Sequence, residues 1–285
     1  MLELGRFKLH AVADGTFALD GGAMFGIVPK PLWEKHFPAD DKNRIRLALR
    51  CLLIEDGARR ILVDDGMGDK WSDKQAALYG IERPEGGLDE SLARLGFTRE
   101  GITDVVLTHL HFDHAGGTTR READGRLALS FPRATYHLQG RNWEWARRPT
   151  ERDAGSYLAE NFAALEASGR LHLVDGETEL FPGVRLIPTD GHTTALQLVR
   201  VEGGGRTVLY CSDIIPTAAH LRTSWIMGYD LRPLQILEEK KRLLADAVAG
   251  GWVLFFEHDP RFAACTVRAS GERAGEAVQG DVVAF

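Results

Sequence analysis

Six consecutive residues, His109-Leu110-His111-Phe112-Asp113-His114, place three imidazoles and one carboxylate within a turn-sized stretch. Imidazole nitrogens and carboxylate oxygens are ligand atoms for first-row divalent cations, and a fold has no structural need for so many side by side. One histidine in such a place is commonly a satisfied core residue, but three beside a carboxylate are not. In a chain of 285 residues with 10 His, a chance H-x-H-x-D-H is roughly a one-in-a-thousand event.

Further candidates stand where other apolar runs end. His192 follows the run 184–188, Asp213 the run 207–211 and His258 the run 252–256, as His109 follows 104–108. These runs read as strands, and ligands far apart in sequence converge when their strands share one sheet edge. With the four in 109–114 they make seven candidates, more than one tetrahedral ion takes. Two adjacent ions sharing a carboxylate would use all seven. Asp64, after the run 61–63, reads either as support behind a metal ligand or as a turn-capping residue.

The elements that must position these side chains are β-rich. Strands are expected over 2–14, 45–64, 127–131 and 134–138, helices over 69–79, 88–96, 139–147 and 154–168, and a hairpin around Gly203-Gly204-Gly205. A long helix over 233–249 would carry Leu234, Leu237, Leu244 and Val248 on one face. Met24 and Phe25, set among glycines in 19–29, suit either a mobile hydrophobic flap or the core. With 44% hydrophobic and 27% charged residues and no linker-like stretch, residues 1–285 read as a single domain. A net charge of -6 argues against nucleic-acid and anionic-membrane surfaces. No apolar run is long enough to span a bilayer, the start lacks a signal-peptide pattern, and Cys51, Cys211 and Cys265 are isolated. That usage predicts a cytoplasmic protein whose cysteines are small buried residues.

H-x-H-x-D-H followed in order by His192, Asp213 and His258 resembles the signature of the metallo-β-lactamase superfamily. The resemblance implies an α/β (α+β) fold, a four-layer αββα sandwich. It also implies that His109, His111 and His192 hold one divalent metal, Asp113, His114 and His258 a second, and Asp213 bridges them. Asp64 matches the acidic residue of the family's D-x-G strand end, which favours the supporting role. Zinc is the expected metal, with iron, manganese or cobalt as alternatives. The stretches 19–33, 212–220 and 225–230 look like those of the YtnP-like quorum-quenching lactonases, which open N-acyl-homoserine lactones. Pro216 departs from a Tyr that many lactonases of the superfamily carry three residues after the bridging Asp.

Two cations about 3.5 to 4 Å apart can hold a bridging hydroxide at neutral pH. The expected chemistry is attack on a lactone or ester carbonyl, with Asp113 passing a proton to the departing alkoxide. Without a phenol at 216, His220 or Tyr229 is the candidate donor, and Met24, Phe25, Trp225, Ile226 and Met227 are candidates for an acyl channel. The expected partner is a small-molecule lactone or ester, and the resemblance suggests a homodimer. Broader esterase or arylesterase, phosphotriesterase and glyoxalase II-like thioesterase activities use the same ligands. A di-iron redox protein on this scaffold is the non-hydrolase alternative, against which His111 speaks, since such proteins tend to replace that histidine with an acidic residue.

Overall fold

A computed structural model describes residues 1–272 and 275–285. Chain order gives the strands β1 (Leu2–Leu4), β2 (Phe7–Asp20), β3 (Arg44–Asp56), β4 (Arg59–Val63), β5 (Asp104–Val106), β6 (Thr119–Arg121), β7 (Leu127–Leu129), β8 (Thr135–Gln139) and β9 (Leu171–Val174). The second half adds β10 (Thr178–Phe181), β11 (Val184–Thr189), β12 (Leu196–Gly203), β13 (Arg206–Tyr210), β14 (Val253–Phe255), β15 (Ala264–Ala269) and β16 (Ala277–Val283). The helices are α1 (Gly21–Phe25), α2 (Lys30–Trp33), α3 (Asp73–Tyr79), α4 (Leu88–Arg94), α5 (Gly140–Arg147), α6 (Ala159–Ser168) and α7 (Pro233–Gly250). Two seven-stranded sheets form, ordered β1-β2-β3-β4-β5-β8-β9 and β10-β11-β12-β13-β14-β15-β16, and β6 pairs with β7 in a small separate ribbon.

Side-chain alternation explains why the central strands are apolar on every residue. Leu52, Ile54, Ile61 and Val63 meet Val199, Val208, Tyr210 and Phe255 between the sheets. Their neighbours Cys51, Leu53 and Leu62 face outward onto α4, α5 and α6 through Leu92, Trp143 and Phe162. Leu209 and Leu254 likewise pack outward on Ile236, Leu244 and Ala247 of α7. Strands buried on both faces, with helices outside each sheet, make the expected αββα sandwich. All three cysteines are free and buried. Among the described residues no helix is long and apolar enough to cross a membrane.

Local departures from the sequence expectations have physical causes. β2 continues to Asp20, whose Oδ1 accepts the Ala23 N–H at 2.8 Å and caps α1. α1 turns Met24 and Phe25 inward to 2% and 0% exposure, so neither forms a mobile flap, and Ile27 is the exposed apolar residue of that segment. The expected helix 69–79 begins only at Asp73, where Ser72 and Gln75 form a capping box. The expected helix 154–168 divides into a 3-10 turn over Ala154–Ser156 and α6. On α7 the buried stripe is Ile236, Lys240, Leu244 and Ala247, while Leu234 is 79% exposed.

Lys240 is tolerated in that stripe because its Nζ donates to the carbonyls of Arg222 at 3.0 Å and Trp225 at 2.7 Å. Burial pushes its ammonium down to about 7. Between about pH 7 and the ordinary lysine value the unfolded chain therefore holds a proton that the folded chain has released, so this group's penalty shrinks as pH rises. Lys240→Met should remove that dependence: its stability relative to the wild type should be greatest near pH 7 and decline by pH 9.5, over a range on the order of a few kcal/mol. Urea midpoints at the two pH values measure it, and a difference that does not vary with pH would contradict this account.

Candidate metal centre

The loop 107–118 carries four of the candidate ligands and is locked against the loop after β4. Asp64 Oδ1 accepts the Thr108 N–H at 2.7 Å, and its Oδ2 accepts the Thr108 hydroxyl at 2.8 Å. Asp65 N–H donates to the His114 carbonyl at 2.9 Å, and Gly117 N–H to the Gly66 carbonyl at 3.1 Å. The loops approach so closely that a Cβ on Gly117 would lie 2.1 Å from the Asp65 carbonyl oxygen. Glycine is therefore required there on steric grounds.

The other three candidates come from the second sheet. His192 follows β11, in a loop against α7 where a Cβ on Gly191 would lie 2.5 Å from Ile236 Cβ. Asp213 sits in a 3-10 turn after β13, and Ser212 beside it takes a left-handed φ of 44°. His258 follows β14, where its N–H donates to the Pro216 carbonyl at 3.1 Å. Pro216 thus contributes a backbone acceptor.

The seven side chains converge. Asp213 Oδ2 lies 3.2 Å from His192 Nε2 and 3.5 Å from His114 Nε2, while its Oδ1 lies 3.3 Å from His258 Nε2. His192 Nε2 faces His111 Nδ1 at 3.2 Å, and His258 Nε2 faces His114 Nε2 at 3.3 Å. Asp113 Oδ2 stands 3.7 Å from His258 Nε2. The atoms fall into two groups, each within 4.8 Å: His109, His111, His192 and Asp213, and Asp113, His114 and His258.

Hydrogen bonds on the far side of the rings decide which nitrogens face the centre with a lone pair. His192 Nδ1 donates to Asp230 Oδ1 at 2.9 Å, and His258 Nδ1 to the Ala48 carbonyl at 2.9 Å. His114 Nδ1 lies against Glu257 Oε2 at 2.8 Å and Asp64 Oδ2 at 3.1 Å. Protons held at Nδ1 leave the Nε2 atoms of His114 and His258 as lone pairs pointing at each other, an arrangement that repels unless positive charge lies between them. Among the described residues His109 Nε2, His111 Nε2 and Asp213 Oδ1 are buried without a hydrogen-bond partner. Imidazole and carboxylate donors in two groups, with orphaned polar atoms, fit a pair of divalent cations.

The electrostatics agree with that fit. Burial holds His109 well below the ordinary histidine value, reinforced by His114 and His111, so it stays neutral. Burial also opposes charging of His258, but the Asp213 carboxylate, 3.3 Å from Nε2, and Glu257 outweigh it and carry the ring up to about 9, so a proton competes with a cation for the Nε2 lone pair. Asp213 is held far below the carboxylate range, because His114 and His192 outweigh its burial. The carboxylates thus make the centre favour positive charge.

A cavity of about 340 Å³ opens over this cluster, with His111, Asp113, His192, Asp213 and His258 on its floor and Phe17, Leu19, Met24, Leu47, Met227 and Tyr229 on its walls. Burial, followed by the nearby Asp113 charge, pushes the Tyr229 phenol up to about 12, so it remains a donor. Phe25, His220 and Trp225 do not line the cavity, which corrects the pocket role expected for them. Phe25 stacks on His220 at 4.6 Å and meets Trp225 edge-on at 5.6 Å behind the wall. Both His220 nitrogens are engaged, Nδ1 with Thr217 Oγ1 at 2.8 Å and Nε2 with the Met24 carbonyl at 2.9 Å. Ile226 also lies off the cavity, packed at the edge of the core beneath α7. Sequence reasoning missed Tyr79 and Phe112 on the wall and Asp230 and Glu257 behind the rings. Of these, Phe112, inside the histidine motif, Glu257, beside His258, and Asp230, at the end of the stretch 225–230, carried a positional signal.

The chain belongs to the metallo-beta-lactamase superfamily, whose family model matches residues 48–258. A protein of Mycobacterium tuberculosis described as a probable metallo-hydrolase is 28% identical over an alignment of 260 positions that covers 84% of this chain and 82% of that protein. An N-acyl homoserine lactonase of a Bacillus species is 28% identical over an alignment of 225 positions that covers 75% of this chain and 82% of that one. Among solved structures, a Staphylococcus aureus protein described as a probable metal-dependent hydrolase superposes with a TM-score of 0.87 at 29% identity, covering 99% of this chain and all of that one. The dizinc quorum-quenching lactonase AidC, with its product N-hexanoyl-L-homoserine, shares the fold with a TM-score of 0.80 at 21% identity, covering 100% of this chain and 97% of that one.

Gly117→Ala should cost on the order of 2 to 4 kcal/mol, since the obstructing atom is backbone and cannot move aside. Gly101→Ala, whose nearest neighbour would be Thr98 Oγ1 at 3.9 Å, should be nearly neutral. Thermal melts of the two variants would decide, and equal melting temperatures would contradict the interlocked-loop account.

Proposed function

We propose that this chain is a metal-dependent hydrolase that opens the lactone ring of N-acyl-homoserine lactones. The observation that carries this reading is an apolar-walled cavity whose floor is the His/Asp cluster. His109, His111 and His192 would hold one divalent cation, Asp113, His114 and His258 the other, and Asp213 would lie between them, with zinc as the expected metal. When bound, such a pair supplies an activated water and a Lewis acid for the carbonyl oxygen. Asp113, at the cavity floor, receives the proton of the attacking water and delivers it at Oδ2 to the departing alkoxide, so the ring opens to a hydroxy acid. Phe17, Leu19, Met24 and Leu47 hold the acyl chain and exclude water from the reacting carbonyl. The Bacillus lactonase relative supports the substrate class.

Met24, Met227 and Tyr229 remain the pocket residues of this reading, and Asp64 acts behind the ligands by holding the loop at Thr108. The aromatic part of the wall, where Tyr79 packs on Phe112 with ring centroids 5.0 Å apart, favours aryl esters as a second reading.

The metal-loaded protein should be assayed on short- and long-chain acyl-homoserine lactones, an aryl ester, a thioester and a phosphotriester. The lactones should give the highest kcat/KM, and a faster aryl ester or thioester would sink the lactonase assignment. Asp213→Ala should lower turnover of every substrate by at least about 1000-fold while far-UV circular dichroism stays unchanged. Retained activity would remove Asp213 from its place between the cations.

A further inference from the structure

Behind the cluster, one imidazole nitrogen has two carboxylates. His114 Nδ1 lies 2.8 Å from Glu257 Oε2 and 3.1 Å from Asp64 Oδ2, and all three side chains are fully buried. The nitrogen carries one hydrogen, so the two acceptors are unequal. Asp64 already spends both oxygens on Thr108, through its N–H at 2.7 Å and its hydroxyl at 2.8 Å. Those bonds hold the loop that carries the histidines. Among the described residues, Glu257 Oε2 accepts one other hydrogen bond, from the Tyr210 hydroxyl at 2.6 Å, and its Oε1 has none. The nearer and less committed acceptor is Glu257.

We propose, resting on the metal-centre reading above, that Glu257 is the positioning residue of His114. It accepts the Nδ1–H hydrogen bond, fixes the ring plane and raises the basicity of Nε2, so that the cation that Asp113, His114 and His258 would hold depends on it. The dipeptide Glu257-His258 brackets one ring: Glu257 meets Nδ1, and His258 Nε2 stands 3.3 Å from Nε2 on the side where the cation would lie. The bracket is stiff because both residues lie within three positions of the end of β14, which is paired with β13 on one side and β15 on the other. Asp64, His114 and Glu257 lie close enough together to hold a cation themselves. That alternative would need His114 to coordinate through Nδ1, which would leave its Nε2 protonated. His114 also belongs to the group with Asp113 and His258, and only the hydrogen-bonded assignment leaves a lone pair there for a cation. Asp64 is thereby given a narrower role, tying down the loop backbone.

The test is a competition titration of the full chain with zinc against a chromophoric chelator, which resolves the two binding steps. Glu257→Gln should weaken one step by about 10- to 100-fold and leave the other within about threefold. Tyr210→Phe, which removes the second donor to Glu257 without touching His114, should leave both steps within about threefold, separating positioning from packing. If Glu257→Gln does not fold, the proton–nitrogen spectrum of the zinc-loaded wild type gives the reading. The His114 Nδ1–H resonance should be protected from exchange and should shift in Tyr210→Phe, because both donors share one oxygen. An unmoved resonance, or a Glu257→Gln variant that keeps both affinities or weakens both equally, would overturn the proposal. A wild type that binds fewer than two ions would overturn the metal-centre reading and this inference with it.

Discussion

The site depends on a negative charge held almost entirely out of water. Asp213 is 5% exposed and faces the Nε2 atoms of His114, His192 and His258, which come from three separate segments of chain. A carboxylate taken out of water is costly unless positive charge or strong donors surround it. Everything around Asp213 is arranged to meet that cost. Each surrounding ring has its outward nitrogen against an acceptor, His192 against Asp230, His258 against the Ala48 carbonyl and His114 against Glu257, with Asp64 farther off. Those contacts turn the lone pairs inward, which suits the centre to a cation.

The sandwich exists to bring those groups together. β4 and β5 run parallel, so their ends deliver Asp64 and the histidine loop side by side. β13 and β14 also run parallel in the second sheet and deliver Asp213 and the Glu257-His258 pair. Parallel strands emerge at the same edge, and two sheets packed face to face bring their edges together. α7 then presses on the Gly191 loop, where Glu239 accepts the N–H groups of Asp190 at 2.9 Å and Gly191 at 3.0 Å, and so fixes the entry to His192. The fold and the site are therefore one arrangement, and strand direction accounts for both.

Much of this was legible in sequence because the signals were local. The histidine cluster, the apolar runs before His192, Asp213 and His258, and the doubly buried strands all show in a short window of residues. Where the sequence misled, a distant partner decided the outcome. Met24 and Phe25 sit among glycines and look exposed, yet the Trp33 ring stacked 5.5 Å from Phe25 draws that segment into the core. Lys240 is absent from the leucine-and-valine face expected of 233–249, yet it is buried because the carbonyls of Arg222 and Trp225 meet its Nζ. Asp230 closes the stretch 225–230, but its contact with His192 appears only when that loop is folded. Glu257 stood beside a recognised ligand, but strand alternation alone could not show that it reaches His114.

The most direct measurement is an anomalous-difference map from crystals of the zinc-loaded protein, collected on both sides of the zinc edge. The account predicts two peaks per chain, one among His109, His111 and His192, the other among Asp113, His114 and His258, with Asp213 touching both. A single peak, or a peak seated between Asp64 and Glu257, would contradict it.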